Sequence, residues 1–210
     1  MSGIWIVAET LQNQLTSGTL ELFTAAKQAA GNSGKSITAV LPAGSADTSA
    51  VAQQLGQAGA QQVIVLQHDL LAAPQTQVFS RALSDVIQDR NPSAVFFSGS
   101  TTGLDVAPRV AIRTGAALIT GATEIDASGA DTLVVTKACM AESLLSQISA
   151  KSGVTQIITL RSKAFDPVAL DAGNSADVET VTPTLSAEMA KTKLMEVKAA
   201  DTGGKKKLEE

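Results

Sequence analysis

Phe96–Val110 reads FFSGSTTGLDVAPRV. An apolar run feeds a loop of small and hydroxyl-bearing residues, and the loop feeds a segment with helical character. Strand, small-residue loop and helix in that order form the unit with which many α/β proteins hold a phosphate at a helix start. The details of this loop decide whether it is such a unit. It lacks the lysine of G-x-x-x-x-G-K-[ST], and it is not G-x-G-x-x-G. Its Ser98, Ser100, Thr101, Thr102 and Gly103 are still phosphate-loop candidates, because they follow a strand end, where open α/β sheets bind ligands. The competing reading is a hydroxyl-rich turn in which Thr102 or Asp105 caps the helix. With Asp105 as cap, Pro108 falls in the first turn, where its missing N–H costs little.

Working outward, five short apolar runs recur: Ile4–Ala8, Ile37–Leu41, Val63–Leu66, Ala94–Phe97 and Ala117–Ile119. Each is bounded by Gly, Ser, Pro or charge, and none alternates with polar residues. Runs of that kind suit strands buried on both faces of a parallel sheet. Helical stripes lie between them. Leu20, Phe23, Ala26 and Ala30 fall at helical spacing, with Ser17 as N-cap, Glu21 near the helix start and Gly31 as stop. Phe79, Ala82, Leu83, Val86 and Ile87 make a second stripe, opposite Arg81, Asp85 and Gln88. Ala50–Ala58 is a weaker one because Gly56 interrupts it. Strand and helix alternating every thirty residues or so imply βαβ units, hence an open, mainly parallel twisted sheet with helices on both faces.

After Gly121 the rhythm changes. Thr132–Lys137, Ser143–Ile148 and Gln156–Leu160 follow one another with no helix between them, and read as extra strands, partly antiparallel, at the sheet edge. From Asp166 onward apolar density falls. That stretch reads as a polar linker or tail over residues 166–210, with one extended segment at Val178–Val181 and a mixed-charge end, TGGKKKLEE.

The bulk numbers narrow the function classes. The 210 residues carry a formal net charge of −4, which leaves no electrostatic footprint for nucleic acid or an anionic membrane. A single cysteine, Cys139, excludes an internal disulfide framework and any multi-cysteine metal site. No window approaches the ~20 apolar residues of a membrane helix. The start, MSGIWIVAE, lacks the basic region of a signal peptide. A cytoplasmic protein is expected, or one of the mitochondrial matrix if eukaryotic. One histidine and no tyrosine leave few groups for acid–base catalysis, so no catalytic or metal-binding residues are assigned. His68 beside Asp69 reads as a turn histidine, Cys139 as packing, and Trp5 as core. Asp105 and Arg109 lie four apart in the acid-first order that suits a helix pair. Arg109 and Arg113 repeat on one helix face, which either meets an acidic partner or is simply wet.

Four segments in order resemble the N-terminal domain of the electron transfer flavoprotein alpha subunit, the FixB-type family. They are IWIVAETLQNQLTSGTLELFTAAK at the start, VIVLQHDLLAA at Val63–Ala73, SGSTTGLDVAPRVAIRTGAALITGATEI at Ser98–Ile125, and ITLRSKAFDPV at Ile158–Val168. The third is close to the family pattern T-T-x-G-R-D-L-A-P-R-V-A-A-R. The chain departs from the family at KACMAES, where a Tyr-Gly-Gly-type turn is common, and at RSKAF, which replaces an Arg-Pro-Gly-Ala-Phe-like run.

The resemblance implies an adenine-nucleotide-hydrolase-like α/β domain over residues 1–165. It also implies a heterodimer with a beta subunit, and a carrier role between acyl-CoA-type dehydrogenases, as in fatty acid β-oxidation, and a quinone-linked oxidoreductase. FAD would belong to the complete alpha/beta complex, held mainly by a C-terminal domain whose Val-Ser-Gly-Gly-Arg-Gly-like opening does not occur in this sequence. None is expected on this chain alone. In this family the nucleotide site lies on the sister subunit, so the Ser98–Gly103 loop becomes an interface or relic loop. Arg161 and Phe165, in the basic-aromatic end of the domain, join Asp105, Arg109 and Arg113 as partner-interface candidates. The alternative is a stand-alone nucleotide-binding or sensing domain that uses the Ser98–Gly103 loop for phosphate.

Overall fold

A computed structural model describes residues 3–31, 34–127, 132–192 and 194–196. The first strand shows how the domain is layered. In β1 (Ile4–Val7) all four side chains are buried, Ile4 and Ile6 toward one face and Trp5 and Val7 toward the other. A period of two with apolar residues at every position requires cover on both sides. Helices α1 (Ser17–Ala30) and α2 (Ser49–Ala58) supply it on the Ile4 face, through Leu22, Phe23 and Leu55. Helices α3 (Thr76–Arg90) and α4 (Thr101–Thr114) cover the Trp5 face, through Leu83, Ile87, Val106 and Val110.

Between β1 and α1 the chain makes a small hairpin, β2 (Thr10–Leu11) with β3 (Gln14–Leu15). The main sheet continues with β4 (Ile37–Ala43), β5 (Gln62–Gln67), β6 (Ala94–Phe97), β7 (Ala117–Asp126), β8 (Val134–Cys139), β9 (Leu144–Ser149), β10 (Gln156–Leu160) and β11 (Asp177–Val181). Their order is β11-β5-β4-β1-β6-β10-β7-β8-β9. Pairing is parallel from β11 to β7, and β8 and β9 are antiparallel. The open, mainly parallel sheet with helices on both faces is the architecture expected from the apolar runs.

Two expectations about the second half need correction. Gln156–Leu160 is not an edge strand: β10 lies parallel between β6 and β7, and all five of its residues are buried. The β8–β9 hairpin is the edge addition, and the chain returns from it into the sheet interior. The strand at Ala117 is also longer than three residues. It continues through Gly121, whose φ of +72° lets the backbone bend, and its second half pairs with β8. The extended segment expected near Val178 is β11, which pairs with β5 from Asp177↔Gln62 to Val181↔Leu66. The closing TGGKKKLEE run lies outside the described residues.

The topology also marks where a ligand would be sought. From β1 the chain runs outward through β4 and β5, then crosses back to β6 on the other side of β1. The loops leaving β1 and β6 therefore diverge toward opposite faces. In open α/β sheets the crevice outside such a reversal is the usual ligand site.

Candidate functional site

A cleft of about 830 Å³ opens at this reversal. Its walls are the loop after β1, the start of α1, the loop between β6 and α4, and the turn after β10. Of the Ser98–Gly103 candidates, Ser98, Ser100 and Thr101 line it and Thr102 and Gly103 do not, and the caps differ from expectation. Helix α4 begins at Thr101 with Ser100 as N-cap, whose Oγ accepts from the Gly103 N–H at 2.9 Å. Neither Thr102 nor Asp105 caps it, and Pro108 lies well inside the helix. The carbonyl that Pro108 leaves without an intrahelical donor belongs to Leu104, on the exposed side. Helix α1 is likewise capped one residue early, by Thr16 through the Thr19 N–H at 3.2 Å, not by Ser17. Both helices end as their glycines suggest, α1 at Gly31 and α4 at Gly115.

The glycines of the loop are needed by the protein's own packing. A Cβ on Gly99 would stand 2.5 Å from the Leu160 carbonyl oxygen at the end of β10. One on Gly103 would stand 2.2 Å from the Ser98 carbonyl oxygen. A glycine-rich loop normally signals close approach of backbone to a ligand; here the approach is to the neighbouring strand and to the loop itself.

Glu9, two residues beyond β1, fills the mouth of this loop. One of its carboxylate oxygens, Oε1, accepts from Ser98 Oγ and from Ser100 Oγ, each at 2.7 Å. The backbone of Glu9 is fixed as well: its N–H donates to Thr19 Oγ1 at 2.8 Å, and its carbonyl accepts from Thr16 N–H at 3.1 Å and Thr19 Oγ1 at 2.9 Å. Thr19 is fully buried. A second carboxylate borders the cleft. Glu21 Oε2 accepts the Lys163 N–H at 2.9 Å, and Oε1 accepts Ser17 Oγ at 3.4 Å. Glu21 and Lys163 come from segments 142 positions apart.

The remaining candidates scatter. Asp105 sits on the exposed side of α4, where it accepts from Thr76 Oγ1 and lies 3.6 Å from Arg109 Nε. Arg113, on the same side, accepts from Gln88 Nε2 at 2.8 Å through its carbonyl. Arg161 lies across the sheet, ion-paired with Glu142 in the turn between β8 and β9. Phe165 is buried, in the core cluster that also holds Leu22 and Phe23 of α1. His68 is a turn histidine, with Nδ1 accepting from the Leu70 N–H at 3.1 Å. Cys139 is half-buried at the end of β8, and Trp5 is core. Glu9, Glu21 and Lys163 escaped the sequence reading of the site. The available signal for Glu9 was its place as the first charged side chain after a fully apolar strand.

Among the described residues, no group of three or more His, Cys, Asp or Glu side chains is arranged to hold a metal ion. No helix among them is long and apolar enough to cross a membrane. The Glu9 carboxylate already holds the Ser98 and Ser100 hydroxyls, so these two loop residues do not offer free donors to a phosphate of a flavin or adenine nucleotide.

Comparison with known proteins agrees with this architecture. Residues 4–186 match the family model of the electron transfer flavoprotein domain. The electron transfer flavoprotein subunit alpha of Clostridium acetobutylicum is 28% identical over 199 residues, 93% of this chain and 58% of the relative. Protein FixB of Clostridium saccharobutylicum is 27% identical over 196 residues, again 93% and 58%. An acryloyl-CoA reductase electron transfer subunit beta from Anaerotignum propionicum is 27% identical over 59% of this chain and 33% of its own length. The chain thus spans a little over half the length of the alpha subunits it matches, and it belongs to the electron transfer flavoprotein domain family.

Proposed function

We propose that this chain serves as the N-terminal domain of an electron transfer flavoprotein alpha subunit: the scaffold and beta-subunit-binding part of an FAD-containing carrier between acyl-CoA-type dehydrogenases and a quinone-linked acceptor. The observation that carries the reading is the family match over residues 4–186, together with the alignment of 93% of the chain to named alpha and FixB proteins. FAD would be held mainly by the flavin domain of the complete complex, with no contact required from the cleft beside Glu9. The chain's own chemistry agrees with a scaffold role. Its single histidine is committed to a turn, and the two carboxylates of the cleft are engaged with Ser98, Ser100, Ser17 and the Lys163 backbone. A stand-alone nucleotide-binding function meets a carboxylate where the phosphate would have to sit.

The β8–β9 hairpin is the surface best suited to the beta subunit. Edge strand β9 carries Leu144, Leu145 and Ile148, all exposed, and Met140 in the adjoining turn is 74% exposed. An apolar edge strand in a parallel-sheet domain invites a partner. Co-expression with a beta-type subunit tests the reading: a complex should co-elute on size exclusion. No complex, under conditions where a full-length alpha subunit forms one, sinks it.

A further inference from the structure

The ligand crevice of this fold carries its own anion. We infer that Glu9 is a built-in occupant of the switch-point crevice, a specificity residue that excludes phosphate-bearing ligands while tying the β1–α1 loop to the β6–α4 loop. A carboxylate only accepts hydrogen bonds, so both Ser98 and Ser100 must donate to its Oε1, at 2.7 Å each. Ser98 is 3% exposed, and a buried hydroxyl requires such a partner. Ser100 completes a relay: its Oγ accepts from the Gly103 N–H at 2.9 Å while it donates to Glu9. The two serine hydroxyls of the loop are therefore turned onto an internal group rather than toward an incoming phosphate.

Two further features bear on the site, one holding Glu9 in place and one adding to the negative charge of the cleft. The Glu9 backbone is fastened by Thr16 and Thr19 on α1, so the side chain cannot swing away without disturbing a helix start. Glu21 adds a second negative charge to the same cleft, against which Lys163 is the one cationic side chain on its lining. An incoming phosphate would meet like charge at contact distance, with the Ser98 and Ser100 hydroxyls already engaged. The inference concerns the crevice itself and stands whether or not the chain works beside a beta subunit.

Titrating the full chain with inorganic phosphate and with AMP, by calorimetry and by amide chemical shifts, tests it. Wild type should show no saturable binding at millimolar ligand. Glu9→Gln, which keeps an acceptor for both hydroxyls and removes the charge, should gain binding by about tenfold, and Glu9→Ala, which also frees the hydroxyls, by more. Shift changes should centre on residues 98–103. Adding Ser98→Ala to Glu9→Ala should abolish the gain, because the binding is assigned to the hydroxyls that Glu9 releases. Circular dichroism and dispersed amide spectra establish that the variants are folded, and Glu9→Gln covers the case in which Glu9→Ala is not. Wild type binding phosphate or AMP as tightly as Glu9→Gln overturns the inference. So does a folded Glu9→Gln that gains nothing, or a gain that survives loss of the Ser98 hydroxyl.

Discussion

The side-chain amide of Gln156 closes a two-bond ring with the backbone of Leu133. Its Oε1 accepts the Leu133 N–H at 2.8 Å and its Nε2 donates to the Leu133 carbonyl at 3.0 Å. Both residues are buried, so one glutamine acts as a strand partner for the residue that precedes β8. Gln156→Met keeps the length and removes both bonds, leaving two backbone groups without partners. Each costs about 1–3 kcal/mol when buried, so a total loss of about 2–6 kcal/mol is expected from urea unfolding. A loss below about 0.5 kcal/mol would mean that the ring contributes little beyond ordinary surface effects.

Gly56 explains the weak stripe of α2. A Cβ there would stand 2.8 Å from the Ala176 backbone nitrogen and 3.1 Å from the Ser175 carbonyl carbon. The segment leading into β11 runs directly over the helix. In an uncrowded helix, Gly→Ala stabilises by about 1 kcal/mol. Here the sign should reverse: Gly56→Ala is expected to cost about 1–3 kcal/mol as an overpacking change. Limited proteolysis should then cut faster between residues 166 and 181 than in wild type. A stabilised Gly56→Ala would show that this segment moves aside freely.

Asp47 starts α2 in place of a capping Thr48 side chain. Its Oδ1 accepts the Ser49 N–H at 2.9 Å and its Oδ2 accepts Ser49 Oγ at 3.0 Å. The backbone bond, and then the hydroxyl bond, hold its carboxyl below the ordinary value of 3.8. A group lowered on folding stabilises the fold when ionised. Its contribution is present above 3.8 and lost as pH falls through the lower folded value. Asp47→Asn should therefore lower Tm near neutrality, with the gap to wild type closing in acid. A gap that is constant or widens as pH falls would remove Asp47 from the pH response.

Much of the sheet was legible because parallel interior strands advertise themselves: β1, β4, β5 and β6 are short, mostly apolar runs, with Thr38 the one polar residue inside β4. The place of β10 was not. Its apolar run is broken by Gln156 and Thr159, and the order of strands within a sheet depends on how the chain returns from the β8–β9 hairpin, which no local pattern records. The start of α4 was misread through Pro108, whose preference for a first turn yields here to the stronger demand of Ser100 and the packed loop glycines. Glu9 was the least legible of all. A lone glutamate after a strand reads as solvated, and only the folded chain brings it to Ser98 and Ser100, 89 and 91 positions away.

Two surfaces compete for the beta subunit, and substitution separates them. On the outer side of α4, Asp105, Arg109 and Arg113 form a charged row beside exposed Leu104 and Ile112. On the β8–β9 hairpin, Leu144, Leu145 and Ile148 stand exposed, and Glu142 is paired with Arg161 at its turn. Apolar side chains near the centre of an interface carry most of its energy, whereas rim charges act mainly on association rate. Leu145→Lys should leave stability within about 0.5 kcal/mol, because the side chain is 69% exposed. The same change should weaken binding of a beta-type subunit by about tenfold or more, measured by surface plasmon resonance. Arg161→Glu should slow association in a salt-dependent way with a smaller effect on dissociation, and Arg109→Glu should do little. If Arg109→Glu abolishes the complex while Leu145→Lys binds as wild type does, the docking face lies on α4 and the hairpin edge is covered by something else.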